Sequence, residues 1–386
     1  MRDSLTPTTI SSLADFERAA PRWNELWDNS NARQPLSRTE GVTLWMKHFG
    51  DPSSFRAILI EDDCGRLVGG LAFLQHSRFG LKVLQLPVNC WVNAGELLIH
   101  DLCDQEQVIA VLIQELRDTG ASFLDFDHID LNASQWTRLR EGLSTNGIKA
   151  QRTREQSVGV IDIGEDWAQY LSCLSGNHRS AVKRSEKKLA KKGDFQLLRI
   201  TNPCDAELKK WMTAAMEIEH RSWKAEAGTS ILASEGMPEY FMEEALFANQ
   251  MNALELWFLM LNDRPIAFEY CHSAKQVCFS YKIGYDEAYK DLGPGRLLRK
   301  MQLEFLFNHP TNSRRIELDT MGVLCSAKAK WATRQYKIGK LTASIGGLES
   351  SILMQVFQLA KSIKGQLKGN SATEEPIPLG GAKFLV

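Results

Sequence analysis

The sequence has no Cys-x-x-Cys pair, no HExxH, no GxSxG elbow and no loop ending in Gly-Lys-Ser/Thr. These absences remove zinc ribbons, zinc hydrolases, serine hydrolases and P-loop nucleotide hydrolysis from the candidate functions, and no metal is expected. The eight cysteines (Cys64, Cys90, Cys103, Cys173, Cys204, Cys271, Cys278 and Cys325) are scattered through apolar stretches. That spacing reads as reduced thiols, not as a disulfide framework, and sets the expectation of a cytoplasmic protein. Charge of one sign is also missing, with 46 basic against 47 acidic residues and a net charge of −1. Attraction of the whole molecule to nucleic acid or anionic lipid is therefore excluded, and any anion must be held locally. No apolar run reaches the roughly 18 residues of a membrane span, and Met1 to Leu13 lacks the basic and apolar order of an export signal.

What is present is 386 residues of ordinary globular composition, 44% apolar and 24% charged. A chain of this length divides into two cores. The division expected is 1–160, 161–367 and a flexible tail, 368–386, whose Pro376, Pro378 and Gly380-Gly381 leave few periodic apolar positions. Helical spacing marks Asp15–Trp27, Arg38–Phe49 and Gln105–Arg117, and β-prone runs mark Phe55–Ile60, Leu67–Gln75, Leu81–Leu86 and Ser122–His128. The same order returns in the second half. Helices are expected at Trp167–Lys192, Ala206–Lys224, Pro238–Met251, Arg296–Phe307, Cys325–Gln335 and Ser350–Ile363. Strands are expected at Phe195–Ile200, Glu255–Leu261, Pro265–His272, Gln276–Tyr285, Arg315–Asp319 and near Leu341. The fold class is α/β (α+β), two related units of a mixed, mostly antiparallel sheet flanked by helices.

The stretch richest in chemistry runs from Phe279 through Tyr281 and Tyr285 to Gly293-Pro294-Gly295-Arg296, an alternating strand entering a helix through a glycine turn. Glycines there let backbone N–H groups face an anion without Cβ obstruction, and Arg296 adds a positive charge. A pyrophosphate is the guest such a turn suits. A plain strand-to-helix turn is the competing reading. Upstream, Arg179, Lys183, Arg184, Lys187, Lys188, Lys191 and Lys192 form a basic helix opposed only by Glu186. A solvated helix face and a polyanion contact are both open readings of it.

With Lys290-x-x-Gly293-x-Gly295, the chain resembles the GNAT acyltransferase superfamily, whose coenzyme A loop reads Arg/Gln-x-x-Gly-x-Gly/Ala; lysine replaces the usual first residue. More narrowly it resembles the duplicated CelD/BcsL-type GNAT proteins, relatives of the FemAB/FemX aminoacyltransferases. The matching residues are Arg179 with Lys183-Arg184, Ser222-Trp223-Lys224 before Gly228, Tyr285-Asp286-Glu287, and Asp319 followed by Lys328-x-x-Trp331. The chain departs from that group at Asp319-Thr320-Met321-Gly322 and Ala327-Lys328, where Asp-Phe-Gly and Tyr-Lys are usual.

The resemblance implies a sheet splayed between its fourth and fifth strands, Gln276–Tyr285 and Arg315–Asp319, with acyl-CoA as co-substrate held by Tyr281, Lys290, Gly293, Gly295 and Arg296. The reaction it implies is direct attack of a neutral amine on the thioester, with a strand N–H stabilising the oxyanion. Glu269 and Asp319 are the candidate bases and Tyr336 the candidate acid, while Arg179, Lys183, Trp223 and Lys328 are candidates for substrate or phosphate. Ion pairing of Glu269 and turn capping by Asp319 are the structural alternatives. The acceptor implied is a small molecule or glycan precursor, and the N-terminal unit is expected to lie on the acceptor side without a cofactor. Two rivals stand beside this reading: a FemX-like transferase using aminoacyl-tRNA, with RNA on the basic helix, and a non-catalytic scaffold.

Overall fold

The computed structural model describes residues 4–78, 80–164, 166–309 and 316–346. The described residues form two units, one taking 4–156 together with 337–346, the other within Ser157–Tyr336. The boundary expected at 160 thus falls four residues earlier by this division. By the same division residues 337–346 group with the first unit. The expected helix Ser350–Ile363 and the tail 368–386 lie outside the described residues.

The first unit contains β1 (Thr6–Ile10), α1 (Leu13–Arg18), α2 (Ala20–Asp28), α3 (Thr39–Phe49), β2 (Phe55–Glu61), β3 (Leu67–Arg78), β4 (Leu81–Gln85) and β5 (Leu97–Ile99). It continues through α4 (Gln105–Asp118), β6 (Phe123–Asp130), α5 (Ser134–Thr145) and the start of β7 (Ala150–Asp162). The single helix expected over Asp15–Trp27 breaks at Ala19 because Pro21, which has no N–H to give, needs the first turn of a new helix. Strands β1, β2, β3 and β4 pair antiparallel in that order, and β4 then pairs β6 parallel over Val83 to Gln85 only. Ile58, Phe73, Leu124 and Phe126 from the sheet and Leu112, Leu116 and Trp136 from α4 and α5 make its core.

The second unit holds α6 (Trp167–Cys173), α7 (Gly176–Ala190), β8 (Phe195–Ile200), α8 (Asp205–His220), the short α9 (Trp223–Glu226), α10 (Met237–Gln250), β9 (Leu254–Leu261), β10 (Arg264–Ala274) and β11 (Val277–Tyr285). Then come α11 (Pro294–Asn308), β12 (Glu317–Asp319), α12 (Ser326–Ala329) and the start of β13 (Arg334–Ser344). The helix expected over Trp167–Lys192 is two helices, since the Ser175 hydroxyl accepts from the His178 N–H and starts α7 afresh. The helix expected over Cys325–Gln335 is confined to α12. Beyond it the alternating burial of β13 wins, and Lys337 to Ser344 complete the first unit's sheet against β6.

In this sheet β8, β9, β10 and β11 are antiparallel neighbours, β11 pairs β12 parallel, and residues 160–162 of β7 close the edge on β12. The β9–β10 turn works because Asn262 and Asp263 both take the left-handed conformation, as a two-residue hairpin turn requires. Both units therefore have the mixed, mostly antiparallel sheet that the pattern predicts. Their parallel pairs also share a register, Gln85 opposite Asp125 and Phe279 opposite Asp319.

Candidate active site

The parallel pairing of β11 and β12 stops after three residues, at Phe279 and Asp319, while β11 runs on to Tyr285. From Ser280 to Tyr285 the strand keeps β10 on one side and has no strand partner among the described residues on the other. The ladder ends where β12 ends, so this side of β11 is open beyond Phe279 among the described residues. Within this open stretch β11 carries one extra residue, Tyr281, because Tyr270 lies opposite Lys282 and Cys271 opposite Ser280. Such a bulge leaves one residue outside the ladder and re-aims its backbone.

β11 leads into the glycine turn. Gly293 has φ of +67° and caps α11, a left-handed position that suits glycine. Its own N–H is satisfied by the Lys290 carbonyl, and the Leu297 N–H returns to the Gly293 carbonyl. Pro294 has no N–H, so the amides of Gly295 and Arg296 are the first-turn donors with no partner inside the helix. These are the two donors positioned for an anion at the positive end of a 15-residue helix.

The side chains around the turn depart from expectation. Lys290 points away to Glu287 at 3.2 Å and is exposed. The Arg296 guanidinium bonds Ser185 Oγ at 3.1 Å and the Ala181 carbonyl at 3.4 Å, so it ties the turn to α7. Lys188 adds a bond from its ammonium to the Asp291 carbonyl at 2.9 Å. The basic helix thereby stands beside the anion turn, with Lys183, Arg184 and Lys187 exposed and Arg179 half-buried on it.

Glu269 is not a free base. It is 2% exposed, and its Oε1 lies 3.0 Å from Arg299 Nη2 of α11, with Cys271 Sγ donating to the same oxygen at 3.5 Å. The ion-pair alternative holds because Arg299 needs a carboxylate where α11 crosses β10. Asp319 and Tyr336 are brought together: the Tyr336 hydroxyl donates to Asp319 Oδ2 at 2.9 Å, while Oδ1 accepts from the Met321 N–H at 2.8 Å. Turn capping and the contact with Tyr336 therefore coexist in one carboxylate.

The Lys328 ammonium donates to the Met321 carbonyl, which hangs it from the same turn, and burial lowers its pKa from the ordinary lysine value. Trp223 is 49% exposed on α9, where its neighbour Lys224 donates to the Ile283 carbonyl on β11 at 3.2 Å. Cys271 and Cys278 are buried, whereas Cys325 is exposed.

One group went unforeseen. On the face of β10 opposite Glu269, Tyr270 donates from its hydroxyl to Glu244 Oε2 at 2.9 Å and meets His272 Nε2 at 2.6 Å. His272 Nε2 lies 3.1 Å from Glu244 Oε1, and the His272 ring sits 4.4 Å from that of Tyr281. The sequence held a signal for it. Glu244 falls on the apolar stripe of α10 made by Tyr240, Phe241, Ala245 and Ala248, where a carboxylate is out of place. No group of three potential metal ligands occurs among the described residues, and no described helix is long and apolar enough to cross a membrane.

Residues 176–314 match the family model of the acetyltransferase (GNAT) domain. The chain is similar in structure to FemX, with a TM-score of 0.55 at 12% identity over 91% of this chain and 99% of that one. It is similar to a conserved protein of unknown function from Bacteroides thetaiotaomicron, with a TM-score of 0.54 at 12% identity over 88% and 99% of the two chains. A third likeness is to the C-terminal domain of a putative lysylphosphatidylglycerol synthetase from Agrobacterium fabrum, with a TM-score of 0.52 at 11% identity over 90% and 97%. At these identities the three share its fold. No curated protein matches the sequence.

Proposed function

We propose that the second unit transfers an acyl group from acyl-CoA to an amine. The acetyltransferase domain matched at residues 176–314 makes the chain an acyltransferase; the donor, the acceptor and the residue roles are our reading. The observation that carries it is that the open stretch of β11, with the Tyr281 bulge in it, leads along the chain to the first-turn amides of Gly295 and Arg296, which have no partner inside α11. A pyrophosphate on the Gly295 and Arg296 amides directs an extended thioester arm along that edge. A bulge N–H then stabilises the oxyanion as the amine attacks the carbonyl carbon. The C–S bond breaks, and Tyr336, oriented by Asp319, returns a proton to the departing thiolate.

Lys328, held by the Met321 carbonyl beside Asp319, serves an anionic part of the acceptor, and Trp223 an apolar one. A sugar or polysaccharide precursor is the acceptor class that the CelD/BcsL resemblance favours. Calorimetry with acetyl-CoA tests the reading: the wild-type chain binds and Gly295→Asp does not, because a carboxylate would face the pyrophosphate. Equal affinity of both would remove the turn from the site.

A second reading is favoured by the exposed basic residues of α7 beside the turn. In it α7 holds aminoacyl-tRNA, as the FemX-like alternative expects. Filter binding of tRNA at rising salt separates the two. Affinity falling steeply with ionic strength supports the RNA reading, and tight acetyl-CoA binding without tRNA affinity supports ours.

A further inference from the structure

A buried polar group lies on the second face of β10. Glu244 is 1% exposed and His272 0%, and no guanidinium or ammonium among the described residues is seen bonded to either. The groups facing Glu244 are Tyr240 of α10, Tyr270 and His272 of β10, and Tyr281 and Lys282 of β11. The Lys282 ammonium stands over the Phe241 ring, 4.8 Å from its centre. A leucine and a phenylalanine would fill the same space without desolvating an acid and an imidazole. Perturbed groups gathered this way beside an opening mark function more often than stability.

The geometry also has a direction. His272 Nε2 bonds the Tyr270 hydroxyl, which itself donates to Glu244 Oε2, whereas His272 Nδ1 is buried with no partner among the described residues. A histidine with one nitrogen held by a hydroxyl that a carboxylate orients, and the other vacant, is arranged as a proton acceptor. Its ring lies against Tyr281, the residue that bulges from β11 at the open edge.

We propose that His272 Nδ1 accepts the proton of the attacking amine, with Glu244 and Tyr270 as positioning residues that hold the Nε2–H tautomer and stabilise the imidazolium. The inference rests on the acyl-transfer reading above. In the step, the amine nitrogen bonds the thioester carbon and gives its proton to His272 Nδ1 through one water at the Tyr281 bulge. The C–S bond then breaks and the sulfur takes a proton from Tyr336. His272 releases its proton to solvent and Tyr336 regains one, so the net transfer is one proton from nitrogen to sulfur. Burial lowers the His272 pKa to about 3 and raises that of Glu244 to about 8. The competent form therefore has Glu244 ionised, so that protonated His272 gains a counter-charge.

The test uses the full chain with acetyl-CoA and hydroxylamine, a nucleophile already neutral across the range of about pH 7 to 9. Wild-type kcat/KM for thiol release rises through about pH 8. Glu244→Gln loses that limb and at least about tenfold in rate, with acetyl-CoA affinity by calorimetry within about twofold of wild type. A Glu244→Gln variant that keeps the wild-type profile overturns the proposal.

Long-range proton–nitrogen NMR on histidine-labelled protein reads the tautomer directly, the His272 signal being the one lost in His272→Gln. A bare Nδ1 supports the proposal, and a proton on Nδ1 overturns it whatever the turnover. A wild-type chain that does not bind acetyl-CoA sinks the acyl-CoA reading instead, and binding without hydroxylamine turnover leaves the tautomer as the deciding result.

Discussion

The Tyr336 hydroxyl donates a hydrogen bond to Asp319 Oδ2 at 2.9 Å, joining the end of β12 to a residue 17 positions later. Asp319 thereby fixes where the phenol oxygen lies at the point where the β11–β12 ladder ends. On our reading Tyr336→Phe keeps acetyl-CoA affinity and lowers thiol release about a hundredfold, the usual loss for a positioned proton donor. Parallel calorimetry and a thiol assay check it, and an unchanged rate would take Tyr336 out of the reaction.

Position 295 separates backbone geometry from charge. A Cβ on Gly295 meets only Tyr285 Cδ1 at 3.5 Å, an ordinary contact, so Gly295→Ala folds and binds acetyl-CoA while Gly295→Asp folds and does not. Gly293→Ala behaves differently. Its φ of +67° is left-handed and the added carbon collides with Ser185, so thermal melting falls by the equivalent of about 1–2 kcal/mol or more.

Glu269→Ala leaves Arg299 buried beside no carboxylate. We expect a loss of about 3–5 kcal/mol in denaturant unfolding, the cost of breaking a buried pair from one side. The shape of the pH–rate profile of whatever protein remains folded is unchanged. A altered pH dependence with normal stability would return Glu269 to the role of base.

Stability against pH tests the state of Glu244 and His272. Glu244 titrates at about 8 in the fold against an ordinary 4.5, so its contribution is complete below 4.5 and is lost as pH rises through about 8. His272 has the opposite sign. Its pKa is lowered from 6.5 to about 3, so its contribution is present above 6.5 and lost as pH falls through about 3. The melting temperature of Glu244→Gln, relative to wild type, therefore climbs between about pH 5 and pH 9. A constant difference across that range would show that the carboxyl is not held protonated.

The sequence by itself determined much of the element order but not β1, β5, α5 or β7, because periodicity two and periodicity 3.6 are local properties of which side chains meet the core. It placed β8 to β11, the hairpin turn at Asn262-Asp263 and the glycine turn into α11 within a residue or two of the structure. What only the tertiary structure decided was partnership. No local pattern says that Glu269 meets Arg299 across 30 positions, that Arg296 turns back to Ser185, or that Glu244 of one helix meets His272 of a strand. Nor does it say that β13 belongs with β6, since a strand's edge bonds are satisfied by whichever chain segment the whole fold brings alongside. Those pairings set which titratable groups are buried, and burial decides which of them can carry a proton.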